Sequence, residues 1–209
     1  MKLTKYDHAC FTVQKDNQMI VVDPGSFSPD YLPSNNVVAV IITHEHSDHF
    51  DPEQVAAIID KNPEAVIIGH EAVISKIEVF KTQAVAAGDK LKIGLFDLEF
   101  FGGTHAVIHR GVAVVPNLGV MINELLYYPG DSLTLPGRPV DTLAIPAGGP
   151  WLKIGDAMDF LELIKPRFAF PTHDAVLSAI GKELADEWLT MAATQHGIEY
   201  KRLDSPISL

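Results

Sequence analysis

Val37-Val38-Ala39-Val40-Ile41-Ile42-Thr43-His44-Glu45-His46-Ser47-Asp48-His49-Phe50 decides how the rest of the chain is read. Its first six residues are an unbroken apolar run and read as a buried strand. Four potential metal ligands follow at once: His44, His46, Asp48 and His49. Imidazole and carboxylate are groups that hold zinc, manganese or iron. Residues two apart on a strand point the same way. With strand geometry carried on through the segment, His44 and His46 aim at one point. The chain then turns, and Asp48 and His49 face a second point nearby. The spacing suggests two metals rather than one. Histidine-rich stretches also occur in linkers, and a single histidine is most often a satisfied surface or core residue, so the surrounding sequence has to be weighed.

Immediately downstream, Asp51-Pro52-Glu53-Gln54 opens a helix. Asp51 suits the N-cap, Pro52 the first helical position, and Gln54 the spacing of a capping box. Val55, Ile58 and Ile59 supply the buried face. The ligand loop is thus pinned between a strand end and a helix start, two rigid elements that preorganise a site. Upstream, Ala9–Val13 and Met19–Val22 read as strands around the polar turn 14–18, and the second ends in Asp23-Pro24-Gly25. A long loop, 26–36, follows and carries the aromatics Phe27 and Tyr31. Further on, strands are expected at Ala65–Ile68, Leu95–Phe100, Val112–Val115, Gly119–Ile122, Leu125–Tyr128, Thr142–Ile145, Arg167–Phe170 and Ile198–Leu203. Helices are expected at Glu71–Phe80, Asp156–Ile164 and Ala175–Gln195, the last stopped by Gly197.

Strands and helices occur in both halves, with no linker, low-complexity segment or tandem repeat. One compact domain spanning 1–209, of packed sheets covered by helices, fits this pattern. The chain is 47% hydrophobic, enough for a substantial core, and has no long like-charge run. Its net charge of −11 argues against a nucleic-acid backbone as the main partner. Divalent cations at the site would offset about four of those charges. The single Cys10 cannot form an internal disulfide, reads as a small core residue, and fits a reducing, cytoplasmic setting. The amino end carries no signal-peptide stretch, and no apolar run approaches the ~18 residues of a membrane span.

His105, Asp131 and His173 share a position type with the first cluster, because each falls just past an expected strand. In layered α/β folds such strand ends gather into one crevice. Each alone is more often a turn residue or cap. With the His44 cluster they make seven ligands, about what two metals and a shared water need. His109 lies four residues after His105 and could take its place if that loop were helical. His109 and Arg110 could otherwise contact an anionic substrate group, or be an exposed polar loop. His8 could line the pocket or satisfy a strand end. His70 and His196 read as structural. Phe27, Tyr31 and Trp151 read as packing anchors of long loops rather than as pocket walls.

At this point the chain resembles the metallo-β-lactamase superfamily. The resemblance rests on Asp23 in Val21-Val22-Asp23-Pro24, the motif of residues 43–49, His105, Asp131 in Tyr-Pro-Gly-Asp-Ser and His173 in Phe-Pro-Thr-His. Asp7-His8-Ala9 and the Gly-rich loop Pro146-Ala147-Gly148-Gly149 are similar to a small branch of metal-dependent hydrolases that includes the ascorbate-6-phosphate lactonase-like proteins. The resemblance implies an αββα sandwich of two mixed sheets with helices outside. It implies His44, His46 and His105 on a first metal, Asp48, His49 and His173 on a second, and Asp131 bridging both. Asp23 would orient the His loop by hydrogen bonds.

The implied chemistry is hydrolysis by a metal-bridged hydroxide, with Asp48 handling its proton, on a small-molecule ester, lactone, amide or phosphodiester. Two divalent ions are expected, zinc first, with manganese or iron equally suited by ligand type. No Ser-His-Asp arrangement with a nucleophile elbow competes. A diiron oxidoreductase on the same fold, and a non-catalytic metal-binding protein, are the alternative functions. The partner expected is a small-molecule substrate, with no nucleic acid and no membrane; oligomeric state is left open.

Overall fold

The computed structural model describes all residues 1–209. The His-bearing run Val37–Ile42 is strand β4, and its alternation places it between two cores. Ala39 and Ile41 pack into the cluster between the sheets, whereas Val40 and Ile42 join the cluster beneath the outer helices. A strand buried on both faces is apolar throughout, which is why this one carries no polar alternation.

β4 lies within a seven-stranded sheet. In spatial order that sheet runs β14 (Ile207–Ser208), β1 (Lys2–Lys5), β2 (Phe11–Lys15), β3 (Gln18–Val22), β4, β5 (Val66–Gly69) and β6 (Thr82–Ala84). The second sheet, also seven-stranded, runs β13 (Glu199–Tyr200), β12 (Phe168–Thr172), β11 (Thr142–Pro146), β10 (Leu126–Tyr128), β9 (Leu118–Ile122), β8 (Phe96–Gly102) and β7 (Lys90–Ile93). Leu3, Phe11, Ile20 and Ile68 of the first sheet meet Phe96, Phe100, Val120 and Phe170 of the second in the central core. The helices α1 (Pro52–Lys61) and α2 (Glu71–Ile74) cover the outer face of the first sheet. Helices α3 (Ile154–Ile164) and α4 (Ala179–Gln195) cover that of the second. This is the expected αββα sandwich. No helix is long and apolar enough to cross a membrane.

Strand direction gathers the site. β3 and β4 run parallel, so Asp23 and Thr43 leave the first sheet at the same end. β10, β11 and β12 are also parallel, so Asp131, the 147–149 loop and His173 leave the second sheet together. Asp51 caps α1 as expected, accepting the Glu53 N–H, which stabilises the helix by about 1 kcal/mol.

Several elements differ from the sequence expectation. The helix expected at Glu71–Phe80 stops at Ile74. Only Val73 and Ile74 are buried, Val79 is 82% exposed, and the chain must turn back to lay β6 beside β5. Val112–Val115 forms no strand; Val112 and Val114 are half exposed and have no sheet to join. α4 begins at Ala179, where Ser178 accepts the Gly181 N–H as N-cap, and not at Ala175. Gln54 closes no capping box, because its amide donates to the Gly25 carbonyl. The strands β1, β6, β7 and β14 are two to four residues long, too short for a pattern to announce them, although Lys90–Ile93 does alternate.

Candidate metal centre

The ligand types expected from sequence meet at the shared rim of the two sheets. One group is His44, His46, His105 and Asp131; the other is His8, Asp48, His49 and His173. Within each group the candidate ligand atoms lie within 4.8 Å of one another. Asp131 joins the two. Its Oδ2 lies 3.2 Å from His105 Nε2 and 2.8 Å from His173 Nε2, and its Oδ1 lies 3.1 Å from His49 Nε2. The His44 and His46 rings meet at 4.6 Å, but through the loop 43–50, since β4 ends at Ile42 and strand alternation does not run on. His109 is not part of the cluster: it lies in an exposed turn, where its Nδ1 accepts the Gly111 N–H. Arg110 is exposed in the same turn.

Hydrogen-bond partners fix the tautomers of four rings. His49 Nδ1 donates to Asp23 Oδ2 at 2.7 Å. His173 Nδ1 donates to the Gly148 carbonyl at 2.7 Å, and His105 Nδ1 to the Ala106 carbonyl. Thr43 Oγ1 gives its proton to Asp23 Oδ2, so it accepts from His44 Nδ1 at 3.1 Å. Carboxylate and carbonyl oxygens can only accept, so the neutral ring in each case carries its proton on Nδ1 and turns a lone pair on Nε2 inward. Those lone pairs face one another and the Asp131 carboxylate. His49 Nε2, His173 Nε2 and Asp131 Oδ1 are buried there with no hydrogen-bond partner. Buried acceptors aimed at acceptors are unfavourable unless a cation sits among them. The outward Nδ1–H bonds to carboxylate or carbonyl are the arrangement that orients metal-binding histidines.

A family model for the beta-lactamase superfamily domain matches residues 2–173. The chain belongs to that superfamily. Protein Rv0786c of Mycobacterium tuberculosis is 33% identical over 85% of this chain and 86% of its own length. A UPF0173 metal-dependent hydrolase of Carboxydothermus hydrogenoformans is 28% identical over 83% of this chain and 84% of its own. Among solved structures, the metallo hydrolase Igni18 from Ignicoccus hospitalis superposes with a TM-score of 0.75 at 17% identity. That match covers 100% of this chain and 98% of the other and shows a shared fold.

In this member of the superfamily the carboxylates of Asp131, Asp23 and Asp48 surround His49 and His173. Burial alone would lower His49 and His173, but Asp131, with Asp23 on one side and Asp48 on the other, overrides it. His49 is raised well above the ordinary histidine value and His173 to about 9. Burial would likewise raise Asp131 and Asp48, yet the surrounding imidazoles hold both carboxyls below the usual range. His44, buried and beside His49, is lowered well below 6.5. The same carboxylates that attract protons in the metal-free chain attract divalent cations.

Asp23 is the hub of this shell. It is fully buried with φ +45°, and it accepts from Thr43 N (2.8 Å), Thr43 Oγ1 (2.7 Å), His49 Nδ1 (2.7 Å) and Tyr128 OH (2.9 Å). His8 has a different part. Its Nδ1 accepts the Ala175 N–H at 3.2 Å, so its proton is on Nε2 and is donated to Asp48 Oδ2 at 3.0 Å. His8 therefore orients Asp48 and offers no lone pair to a cation. Its carbonyl also accepts the His173 N–H, tying the two sides of the centre together. His8, Asp23 and His173 all hold positive φ, at 56°, 45° and 57°, backbone strain of the kind that concentrates at functional sites.

Sequence reasoning missed four contributors. Tyr128 reads as a strand residue, but its hydroxyl reaches Asp23. Asn117 falls in the short connection between the strands expected at Val112–Val115 and Gly119–Ile122, yet it is fully buried, accepts the Asp131 N–H and donates to the Pro129 carbonyl. Trp151 is no mere packing anchor, because its Nε1 donates to Asp131 Oδ2 at 2.9 Å. Gly25 packs so closely on the His loop that a Cβ there would lie 1.9 Å from the Asp48 carbonyl oxygen. Of these, only Gly25, in Asp-Pro-Gly, carries a local signal. Tyr31 is an anchor as expected, buried edge-on against Tyr6.

Proposed function

We propose that the chain is a binuclear metal-dependent hydrolase acting on a small molecule. One cation is held by His44, His46 and His105, the other by Asp48, His49 and His173, with Asp131 shared between them. The observation that carries this is the set of four imidazoles whose Nδ1–H groups are committed outward and whose Nε2 atoms face Asp131, those of His49 and His173 buried with no hydrogen-bond partner. The related UPF0173 protein named a metal-dependent hydrolase supports it.

His and carboxylate donors without cysteine suit zinc, manganese or iron, and zinc is the reading adopted. When bound, the two ions supply a water acidified toward neutral pKa and a Lewis acid for the oxygen under attack. The chain's own residues do the rest. Asp131 and the buried histidines are closed off, whereas His46 and Asp48 are partly exposed, so substrate approaches on their side. Asp48, oriented by the His8 N–H, accepts the proton of the attacking water and returns it to the leaving group. Trp151 and Asn117 hold the two ends of Asp131 in register.

The test is a panel of lactones, carboxylic esters, amides and phosphodiesters, offered to metal-reconstituted protein with and without chelator. Chelator-sensitive hydrolysis of one class supports the proposal. Full metal loading with no turnover across the panel favours a binding protein. Two irons with oxygen consumption favour a redox enzyme.

A further inference from the structure

Phe27 reads from sequence as a packing anchor, yet its side chain is 42% exposed. The turn that carries it is firmly held. Pro24, Gly25 and Ser28 are buried around it. The Ser26 N–H and the Ser26 hydroxyl both donate to the Ser47 carbonyl, at 2.8 and 3.0 Å. The Ser28 hydroxyl donates to the Asp7 carbonyl at 2.7 Å. The Gly25 carbonyl accepts the Ser28 N–H and the Gln54 amide, at 3.0 and 2.9 Å. The turn is thus stitched on one side to residue 47 and on the other to residue 7, the chain neighbours of Asp48 and His8.

Its ring sits against the metal centre. The Phe27 and His8 ring centroids are 5.2 Å apart with the planes at 65°, an edge contact. His8 is fully buried and donates its Nε2–H to Asp48 Oδ2. Phe27 therefore stands one imidazole away from Asp48, on the side where the centre is open, since Asp48 and His46 are its partly exposed members. The edge contact with His8 covers only part of the ring, and the remainder faces solvent beside that opening. An aromatic side chain fixed in this way offers a ligand a large apolar face at little ordering cost. We propose that Phe27 packs against an aromatic substituent of the substrate and so sets specificity, an inference that rests on the hydrolase reading above. The polar groups of the centre hold the scissile bond, and the ring selects what is attached to it.

The test is a calorimetric titration of zinc-reconstituted protein with acetohydroxamate, benzohydroxamate and phenylacetohydroxamate. The hydroxamate head takes the cations, and the phenyl group is carried at two different reaches. One of the two aryl compounds should bind about tenfold more tightly than acetohydroxamate. Phe27→Ala should shrink that advantage to about twofold or less, with metal content and acetohydroxamate affinity those of the parent. Phe27→Tyr, which keeps the aromatic face, should retain it. No aryl advantage in the parent, or an advantage that survives Phe27→Ala, overturns the assignment. Loss of a cation or of acetohydroxamate affinity in Phe27→Ala also overturns it, because the ring is then a support for His8 and Asp48. An aryl advantage that depends on Phe27, with no hydrolysis of any ester, lactone, amide or phosphodiester by the same protein, overturns the hydrolase reading instead and leaves Phe27 as the ligand-selecting residue of a metal-binding protein.

Discussion

Replacing Asp23 by asparagine removes one charge and no heavy-atom volume, yet it should damage both the fold and the metal centre. Asp23 accepts four hydrogen bonds, and all its partners are donors: the Thr43 N–H, the Thr43 hydroxyl, the His49 Nδ1–H and the Tyr128 hydroxyl. An amide must place its NH2 on one side. On the Oδ1 side it opposes the Thr43 N–H; on the Oδ2 side it opposes three donors. The cheaper arrangement still loses one charge-assisted bond and buries an unsatisfied N–H pair, at a cost of about 2–3 kcal/mol. The bonds that survive go to a neutral acceptor and are weaker. His49 is then less firmly held as the Nδ1–H tautomer, and affinity at its site should fall about 10–100-fold. Urea denaturation of the metal-free protein reads the first effect, and chelator-competition titration reads the second. Stability within about 0.5 kcal/mol of the parent, with metal affinities within about threefold, would refute the hub role assigned to Asp23.

Three further outcomes are expected. His8→Asn keeps a residue that tolerates the left-handed backbone but cannot bridge Ala175 and Asp48; two metals per chain should remain while kcat falls about tenfold or more. Loss of one metal in that variant would make His8 a ligand after all. Gly25→Ala drives a methyl into the Asp48–His49 peptide, so its melting temperature should drop by an amount matching about 3 kcal/mol; an unchanged melt would mean the loop yields freely. In metal-free protein His173 is raised from 6.5 to about 9. Its contribution to stability is therefore full below pH 6.5 and lost as pH climbs through 9. Cations compete for the same lone pair, so the metal-induced rise in melting temperature should grow across that window. Lys5, pushed down to about 8 by burial, acts oppositely above that pH but does so with or without metal. The difference between the two melting curves isolates the centre, and a difference independent of pH would contradict the assignment.

The parts of this molecule legible in its sequence are those encoded locally. The double burial of Val37–Ile42 is written in its unbroken apolar run, and the ligand loop in its histidines. His105, Asp131 and His173 could be singled out because each follows a strand: β10, β11 and β12 run parallel, and β8 runs the same way as β10 through its antiparallel pairing with β9, so those ends reach one rim. What stayed hidden depends on convergence across the chain. Tyr128 is 105 residues from Asp23, and nothing around Tyr128 announces that its hydroxyl will meet a buried carboxylate. Asn117 and Trp151 serve Asp131 from loops that read locally as a connection and an anchor. His8 could be suspected but not assigned, since its role follows from which backbone N–H its Nδ1 meets. The elements misjudged, 71–80 and 112–115, are apolar stretches left partly in solvent, where periodicity exists without a surface to bury it.

The central claim is a centre for two cations that share Asp131. Native mass spectrometry of the protein after reconstitution with zinc or manganese, beside Asp131→Ala and a His46→Ala, Asp131→Ala double variant, tests it most directly. Two ions per chain in the parent, with fewer than two in the single variant and none retained in the double, is the expected result. A parent that holds one ion or none under saturating metal would contradict the claim.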